Sequence, residues 1–188
     1  MRIIGLLLLS CSLCMSCVQT DKKKALIDDD FLVAEQHLSN QLKAVPEPTV
    51  YPRTIGKDGK LIATPKNDWT EGFYPGCLWY IYEHNREENW KQSAIKWTEA
   101  LEPMKKLTSH HDIGFLIYCS FGNAYRLTGK EEYKDVIIEA ANSLTTRFSE
   151  VTGCIKSWNY RKAWNGRDEW FYPVIIDNMM NLELLYFA

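Results

Sequence analysis

The stretch SHHDIGFLIYCS, residues 109–120, decides how the rest of the chain is interpreted. Two histidines and a carboxylate run directly into a segment that is apolar on every side. Helices that are apolar all round are buried ones, and the first turn of a helix has unpaired N–H groups that polar side chains can use. Asp112 is therefore either a helix cap or a catalytic group whose partner lies elsewhere in the chain.

Two further stretches repeat this pattern, WTEGFYPGCLWYIY at 69–82 and PVIIDNMMNLELL at 173–185. The segments between them, about 90–106 and 131–148, have apolar residues on one face only, as outer helices do. With a first helix at 31–43, the chain contains six predicted helices, alternately buried and amphipathic. Gly129 is expected to end the fourth helix, and the sixth is expected to begin at Val174, after Pro173. A small hairpin is predicted around a turn at Lys57–Lys60, and residues 149–172 are predicted to form a long loop.

This alternation predicts an all-α fold, the (α/α)6 barrel, a ring of six helical hairpins. A closed ring needs about twice this length, so we expect roughly the first half of a barrel, truncated at its C-terminus. A compact six-helix bundle, complete in itself, is the alternative.

The N-terminal residues resemble a bacterial lipoprotein leader. Residues 1–17 combine an early arginine, a short apolar run and cysteines at a polar boundary, which predicts a signal peptide. Cys17 is the expected lipidated residue, with Cys11 as the alternative. Residues 18–30 are charged and predict an irregular tether, followed by the incomplete catalytic domain at 31–188. The protein is then expected in the bacterial cell envelope, lipid-anchored on the periplasmic or outer-membrane side.

Composition excludes little else. The net charge of −2 gives no reason to expect a nucleic-acid partner. The chain has seven Trp and ten Tyr, which either pack a large core or line a carbohydrate cleft. Cys77, Cys119 and Cys154 are an odd number without a spacing motif, so no disulfide framework is expected. Cys77 and Cys119 lie in apolar helical segments and are expected to be small buried residues.

Polar clusters stand at the start of each buried helix: Trp69 with Glu71, residues 110–112, and Asp177. In a ring these helix ends converge on one mouth. The pattern places Asp177 one turn into an apolar helix, where an unpaired carboxylate would cost several kcal/mol. It is therefore expected to be paired, protonated or a general acid. The alternative is that Asp112 and Asp177 each cap their own helix. Adjacent histidines without HxxxH or HExxH spacing do not predict a metal site.

The three stretches together resemble a known family, the unsaturated glucuronyl hydrolases of glycoside hydrolase family 88. Residues 69–79 resemble its WTxGFxPG-LW segment, residues 110–115 its HHDxGF segment, and residues 176–182 its IDxxMNL segment. The unsaturated rhamnogalacturonyl hydrolases share the barrel but fit the HHDxGF element less well.

The resemblance implies an enzyme that removes a 4,5-unsaturated uronic acid from lyase-derived oligosaccharides, most readily of glycosaminoglycan type, by hydrating the C4=C5 vinyl ether. It implies that Asp177 is the general acid and base, that Asp112 assists it, and that Trp69, His111 and Asn178 contact the substrate. It implies no metal and no organic cofactor. Two alternatives stay open: the rhamnogalacturonyl reaction on pectin fragments, and a non-catalytic, lipid-anchored glycan-binding protein. Other site residues of the family lie beyond the end of this chain, so these residues alone are expected to be inactive.

Overall fold

The computed structural model describes residues 2–188, with side chains described from Lys22 onward. The chain divides after Lys43 into two compact units. The first consists of helix α1 (Arg2–Ala44) as far as Lys43. The predicted signal peptide at 1–17 and the lipidated Cys17 lie outside the described side chains. Within the described part of the chain, no helix combines the length and the apolar character needed to cross a membrane.

The predicted irregular tether at 18–30 differs from the structure, which continues α1 through it. This segment contains an ion pair between Lys24 Nζ and Asp28 Oδ2 at 2.5 Å, one helical turn apart. Such i,i+4 pairs add a few tenths of a kcal/mol to a helix. The predicted boundary between tether and domain, at residues 30 and 31, therefore lies inside a continuous helix.

The second unit, residues 44–188, begins with a hairpin. Strands β1 (Tyr51–Ile55) and β2 (Leu61–Thr64) pair antiparallel across a turn that contains Gly59 at φ 77°. The predicted hairpin is confirmed. The Tyr51 hydroxyl donates to the Trp97 carbonyl oxygen at 3.1 Å, which fastens the hairpin to the helices that follow.

Helices make up most of the rest of this unit. In chain order they are α2 (Phe73–Asn85), α3 (Glu88–Glu99), a 3-10 helix (Glu102–Lys106), a π-helix (Gly114–Gly122) that continues into α4 (Asn123–Thr128), α5 (Glu131–Thr145), α6 (Asn178–Asn181) and α7 (Glu183–Phe187). Gly129, the predicted terminator of the fourth helix, ends α4 in the left-handed conformation.

The π-helix is the centre of the unit, because α2, α5, α6 and α7 all pack against it. A Cβ on Gly72 would lie 1.9 Å from the Phe115 carbonyl oxygen, and one on Gly76 would lie 2.9 Å from that of Cys119. Only glycine therefore permits this backbone-to-backbone approach of α2 to the π-helix. This packing explains the two glycines of the GFYPG segment at residues 72–76.

The outer helices are amphipathic, as predicted. Trp79 of α2 and Trp97 of α3 are fully buried, and Trp79 Nε1 donates to Thr98 Oγ1 at 2.9 Å. Several of the tryptophans therefore belong to the core. Cys77 was also expected to be buried, but it lies exposed on α2.

Two predictions for the C-terminal third were wrong in detail. Residues 149–172 were expected to form an irregular loop, but they contain short hairpins, β3 (Phe148–Ser149) with β4 (Cys154–Ile155) and β5 (Arg161–Lys162) with β6 (Glu169–Trp170). The sixth helix was expected from Val174, but α6 begins at Asn178. The cause is long-range, since the segment before α6 uses its backbone to bind a serine in the preceding loop.

Candidate active site

The His110–Asp112 segment is held in place by the loop after β4. His110 forms an isolated antiparallel bridge with Trp158, and the His111 amide donates to the Ser157 carbonyl oxygen at 3.1 Å. The segment is thus tied to this loop through its backbone and not through its polar side chains.

Ser157 is the link between the two carboxylate segments. It is fully buried, its amide donates to the Pro173 carbonyl oxygen at 2.8 Å, and its Oγ accepts from the Ile175 amide at 3.0 Å. Together with the bond from His111, all three hydrogen-bonding groups of Ser157 join these segments. No sequence pattern distinguished this serine.

Neither candidate carboxylate caps a helix. Asp177 is the residue before α6 and Asp112 precedes the π-helix, and neither helix start has a side-chain capping bond. The prediction of a deeply buried Asp177 is corrected, because its side chain is 39% exposed whereas that of Asp112 is 8% exposed. The difference follows from the late start of α6, which leaves Asp177 on a surface turn.

His111 lies between the two carboxylates. Its ring is fully buried, and Nε2 is 3.4 Å from Asp112 Oδ1 and 3.9 Å from Asp177 Oδ1. Within the described residues, neither ring nitrogen of His111 has a hydrogen-bond partner, nor has Asp177 Oδ1. We call His111, Asp112 and Asp177 the carboxylate–histidine cluster. Two carboxylates that face one imidazole can share and pass a proton.

His110 adds a second imidazole to Asp112. Its Nδ1 lies 3.1 Å from Asp112 Oδ2 and accepts from the Asp112 amide at 3.2 Å. An unprotonated Nδ1 accepts from the amide, whereas a protonated one donates to the carboxylate. The first contact therefore needs a proton on Nδ1, and the second needs Nδ1 without one.

The cluster could also hold a cation. His111, Asp112 and Asp177 each offer one ligand atom, and these atoms lie within 4.8 Å of one another. One imidazole with two carboxylates is a donor set that suits several divalent metals. The absence of a metal requirement stays a prediction.

Asn181 fixes the two helix starts at close range. A Cβ on Gly114 would lie 2.6 Å from Asn181 Oδ1 and 2.7 Å from Asn181 Cα, and the Phe115 amide donates to this Oδ1 at 2.9 Å. Asn181 is fully buried. It belongs to the IDNMMNL segment, which was the available signal, yet sequence reasoning gave it no role.

Glu71, in the WTEGF segment at residues 69–73, is a buried carboxyl that contacts Thr64 of strand β2. Thr64 donates to it, while burial, aided by the nearby charge of Asp68, raises the pKa of Glu71 to about 7. Arg53 opposes this shift. The sequence placed Glu71 in a polar cluster without assigning it a function.

Arg147 is a buried cation behind the cluster and was missed by sequence reasoning. Its Nε donates to the Lys156 carbonyl oxygen at 2.7 Å, and its Nη1 donates to the carbonyl oxygen of Thr108. Burial lowers the pKa of Arg147, and the charges of Tyr172 and Asp112 act in the opposite direction. Arg147 therefore joins the segment before His110 to the loop that contains Ser157.

Comparison with known proteins gives a consistent answer, although no protein-family model matches the chain. The chain is 43% identical over 140 residues to an unsaturated glucuronyl hydrolase of Formosa agariphila, covering 73% of this chain and 34% of that protein. It is 36% identical over 129 residues to an unsaturated chondroitin disaccharide hydrolase of Streptococcus agalactiae, covering 64% of this chain and 30% of that protein. The chain belongs with the N-terminal part of the unsaturated glucuronyl hydrolases. It spans about a third of the length of these relatives.

A solved structure supports the same family. The crystal structure of an unsaturated glucuronyl hydrolase specific for heparin superposes with a TM-score of 0.76 at 39% identity, covering 85% of this chain and 41% of that one. The fold is therefore that of the N-terminal part of an (α/α)6 barrel, and both the resemblance and the fold class are confirmed.

Two residues that the family resemblance assigns to substrate contact lie outside the cluster. Trp69 is 43% exposed and its ring lies 6.0 Å from that of Phe115, while the Arg53 guanidinium lies 5.7 Å from the Trp69 ring. Asn178 is 7% exposed, and its Nδ2 donates to the Ile155 carbonyl oxygen at 2.6 Å, so it also secures the turn before α6. The substrate contacts of both residues stay predictions.

Proposed function

We propose that the protein is a glycoside hydrolase that removes a 4,5-unsaturated uronic acid from the non-reducing end of lyase-derived oligosaccharides. The supporting observation is the carboxylate–histidine cluster, in which Asp112 and Asp177 from distant segments share one buried imidazole. Relatives named as unsaturated glucuronyl and chondroitin disaccharide hydrolases support the same reaction.

The difference in exposure divides the roles. Asp177, 39% exposed, can reach a bound sugar, whereas Asp112, 8% exposed, lies behind it against His111. Asp177 gives its proton to C4, the oxygen of water adds to C5, and the proton that water loses returns to the carboxylate pair. The C5 hemiketal then opens to a ketone, and the hemiacetal at C1 releases the remaining sugar as an alcohol and leaves an aldehyde. Asp112 and His111 hold the proton between steps.

Loss of ultraviolet absorbance tests the reaction, because hydration destroys the conjugation of the C4=C5 bond with the carboxylate. The assay uses the chain by itself and the chain joined to the remaining C-terminal part of the Formosa agariphila relative. We expect turnover by the chimera and none by the chain alone. Asp177→Asn should lower the rate by about 10²- to 10⁴-fold, the usual contribution of a general acid, while the exposed α5 variant Asp135→Asn should leave it unchanged. A folded chimera that bleaches no substrate, or Asp177→Asn with normal turnover, contradicts the proposal.

A substrate panel separates the candidate glycans. Relatives named for glucuronyl and chondroitin substrates, and a similar structure specific for heparin, favour glycosaminoglycan disaccharides over pectin fragments. We expect kcat/KM to be higher on unsaturated heparin or chondroitin disaccharides than on unsaturated rhamnogalacturonan disaccharides. The reverse order would identify the rhamnogalacturonyl reaction, and saturable binding without bleaching would identify a glycan-binding protein.

We further propose that the protein is lipid-anchored in the bacterial cell envelope through Cys17. The apolar run at residues 3–9 and the cysteines that follow support this location. Metabolic labelling with an alkynyl fatty acid should mark the wild type and Cys11→Ser but not Cys17→Ser. Label retained in Cys17→Ser and lost in Cys11→Ser would move the lipid to Cys11.

A further inference from the structure

A second group of functional side chains lies beside the carboxylate–histidine cluster. The His111 and Trp158 rings form a T-shaped pair with a centroid distance of 5.7 Å. The Arg161 guanidinium carbon then lies 4.6 Å from the Trp158 ring and 5.3 Å from the Trp164 ring. We call Trp158, Arg161 and Trp164 the Trp–Arg stack. It extends outward from the buried imidazole to the surface.

The stack leaves the guanidinium without an anionic partner. Among residues 22–188, the Arg161 side chain has no ion pair and no side-chain hydrogen bond, although it is only partly buried. The nearest acids along the chain are engaged elsewhere, because Asp168 accepts from Asn165 Nδ2 at 2.7 Å and Glu169 accepts from the Tyr160 hydroxyl at 3.3 Å. Arg161 is therefore free to bind an external anion.

The geometry of the stack suits an oxyanion on a sugar. Indoles that face a guanidinium interact with its π surface and restrict its rotation. The N–H donors lie in the guanidinium plane, where a carboxylate or a sulfate can accept two of them. Trp164 is 75% exposed, so it also offers an indole surface on which a sugar ring can stack.

The surrounding charge favours the same ligand. Residues 158–170 contain three cations and two acids, although the chain as a whole has a net charge of −2. Lys162 and Arg167 are both exposed. A locally positive surface next to the cluster attracts anionic oligosaccharides.

We infer that the Trp–Arg stack is an anionic-sugar subsite, in which Arg161 binds a sulfate or carboxylate on a sugar unit that follows the unsaturated uronic acid. The order of the units along the ligand rests on the proposed function, since it assumes that the unsaturated sugar lies at the carboxylate–histidine cluster. Binding of an oxyanion by Arg161 does not depend on that assumption.

Equilibrium binding by calorimetry tests the subsite in an Asp177→Asn background, where ligand is not consumed. The probes are three oligosaccharides with an unsaturated end: a heparin disaccharide with one 6-O-sulfate, the same disaccharide without sulfate, and an unsulfated hyaluronan tetrasaccharide that adds a second carboxylate. Binding is measured both with the 188-residue chain by itself and with the chimera. The sulfated disaccharide and the tetrasaccharide distinguish the two sources of the oxyanion.

Arg161→Gln should weaken binding of the sulfated disaccharide, the tetrasaccharide or both by about 10- to 100-fold, as for a lost charge-assisted hydrogen bond. It should change binding of the unsulfated disaccharide by less than about 3-fold. Arg161→Lys should lie between wild type and Arg161→Gln, because the charge remains but the planar fork is lost. Arg167→Gln is the matched control, since it removes an equal charge from the same hairpin, and should stay within about 3-fold.

Equal weakening of all three ligands would show that Arg161 only supports the hairpin, and would overturn the inference. No binding of any ligand, or no effect of Arg161→Gln, would overturn it too. Failure of the proposed function would give a different result. If the protein never bleaches substrate, but Arg161→Gln still removes the preference for ligands with the extra oxyanion, the subsite is supported and the proposed reaction is not.

Discussion

Replacing Gly114 by alanine should separate the two halves of the candidate site. A new Cβ would lie 2.7 Å from Asn181 Cα and 2.8 Å from the Asn181 carbonyl oxygen, whereas ordinary contacts begin at 3.4 Å. The backbone of α6 must therefore move by roughly 0.7 Å, since neither atom belongs to a flexible side chain. Overpacking of this kind costs about 1–3 kcal/mol, and loss of the bond from Phe115 to Asn181 costs about 1–3 kcal/mol more. Alanine recovers about 1 kcal/mol through helix propensity, so we expect a net loss of about 1–5 kcal/mol.

Urea unfolding followed by far-ultraviolet circular dichroism measures this cost. Gly122→Ala is the control in the same π-helix, because its Cβ would meet the Tyr118 ring at 3.0–3.2 Å and a side chain can yield. It should stay within about 1 kcal/mol of wild type. Displacement of α6 also moves Asp177 relative to His111, and misplacement near 1 Å can cost about 10²-fold in rate. A Gly114→Ala protein as stable as Gly122→Ala would refute the close approach of α6 to the π-helix.

The remaining predictions concern buried polar groups. Because burial raises the pKa of Glu71 from 4.5 to about 7, its contribution to stability is present below about pH 4.5 and is lost as the pH rises through 7. In Glu71→Gln, the free energy of unfolding measured in urea should therefore depend less on pH. At pH 8 this variant should be more stable than wild type by up to ~3 kcal/mol. A variant that is less stable than wild type at pH 8 would contradict the burial of a charged carboxylate. Arg147→Met should lower the free energy of unfolding by about 2–6 kcal/mol, because the carbonyl oxygens of Lys156 and Thr108 lose their donor. Arg126→Met, which removes a half-exposed ion pair, should cost about 1 kcal/mol or less; equal costs would argue against the role given to Arg147. Thr98→Val should cost about 1–3 kcal/mol by leaving Trp79 Nε1 unpaired, and adding Trp79→Phe should cost less than the sum of the two single changes; strict additivity would show that the bond is absent.

Local signals predicted the local parts of the fold well. The Lys57–Lys60 turn, the terminator Gly129 and the amphipathic faces of α3 and α5 depend on neighbours in sequence, and the structure has them where expected. Asp112 and Asp177 were paired through the family resemblance, not through any spacing that the residues themselves provide. The charged composition of residues 18–30 predicted an irregular tether, but charge density alone does not exclude a helix.

The features that the sequence did not predict depend on contacts between residues far apart in the chain. The apolar segment after Pro173 looks helical by itself, but Ser157 takes up the backbone groups of Pro173 and Ile175 and delays α6. Arg147, just after the amphipathic α5, gave no signal in the sequence, because two of its three partners are backbone carbonyl oxygens, which every residue possesses. Such pairings leave no trace in residue type.

The three hydrogen bonds of Ser157 also determine how the site opens. The amides of His111 and Ile175 both donate to this one residue, and its own amide donates to Pro173. A fluctuation that exposes one of these amides to solvent must displace Ser157 and so expose the others. The three protons should therefore exchange with deuterium at a common rate, as a single local unfolding unit. The spacing between the two carboxylates is then either intact or lost, with no half-open state between.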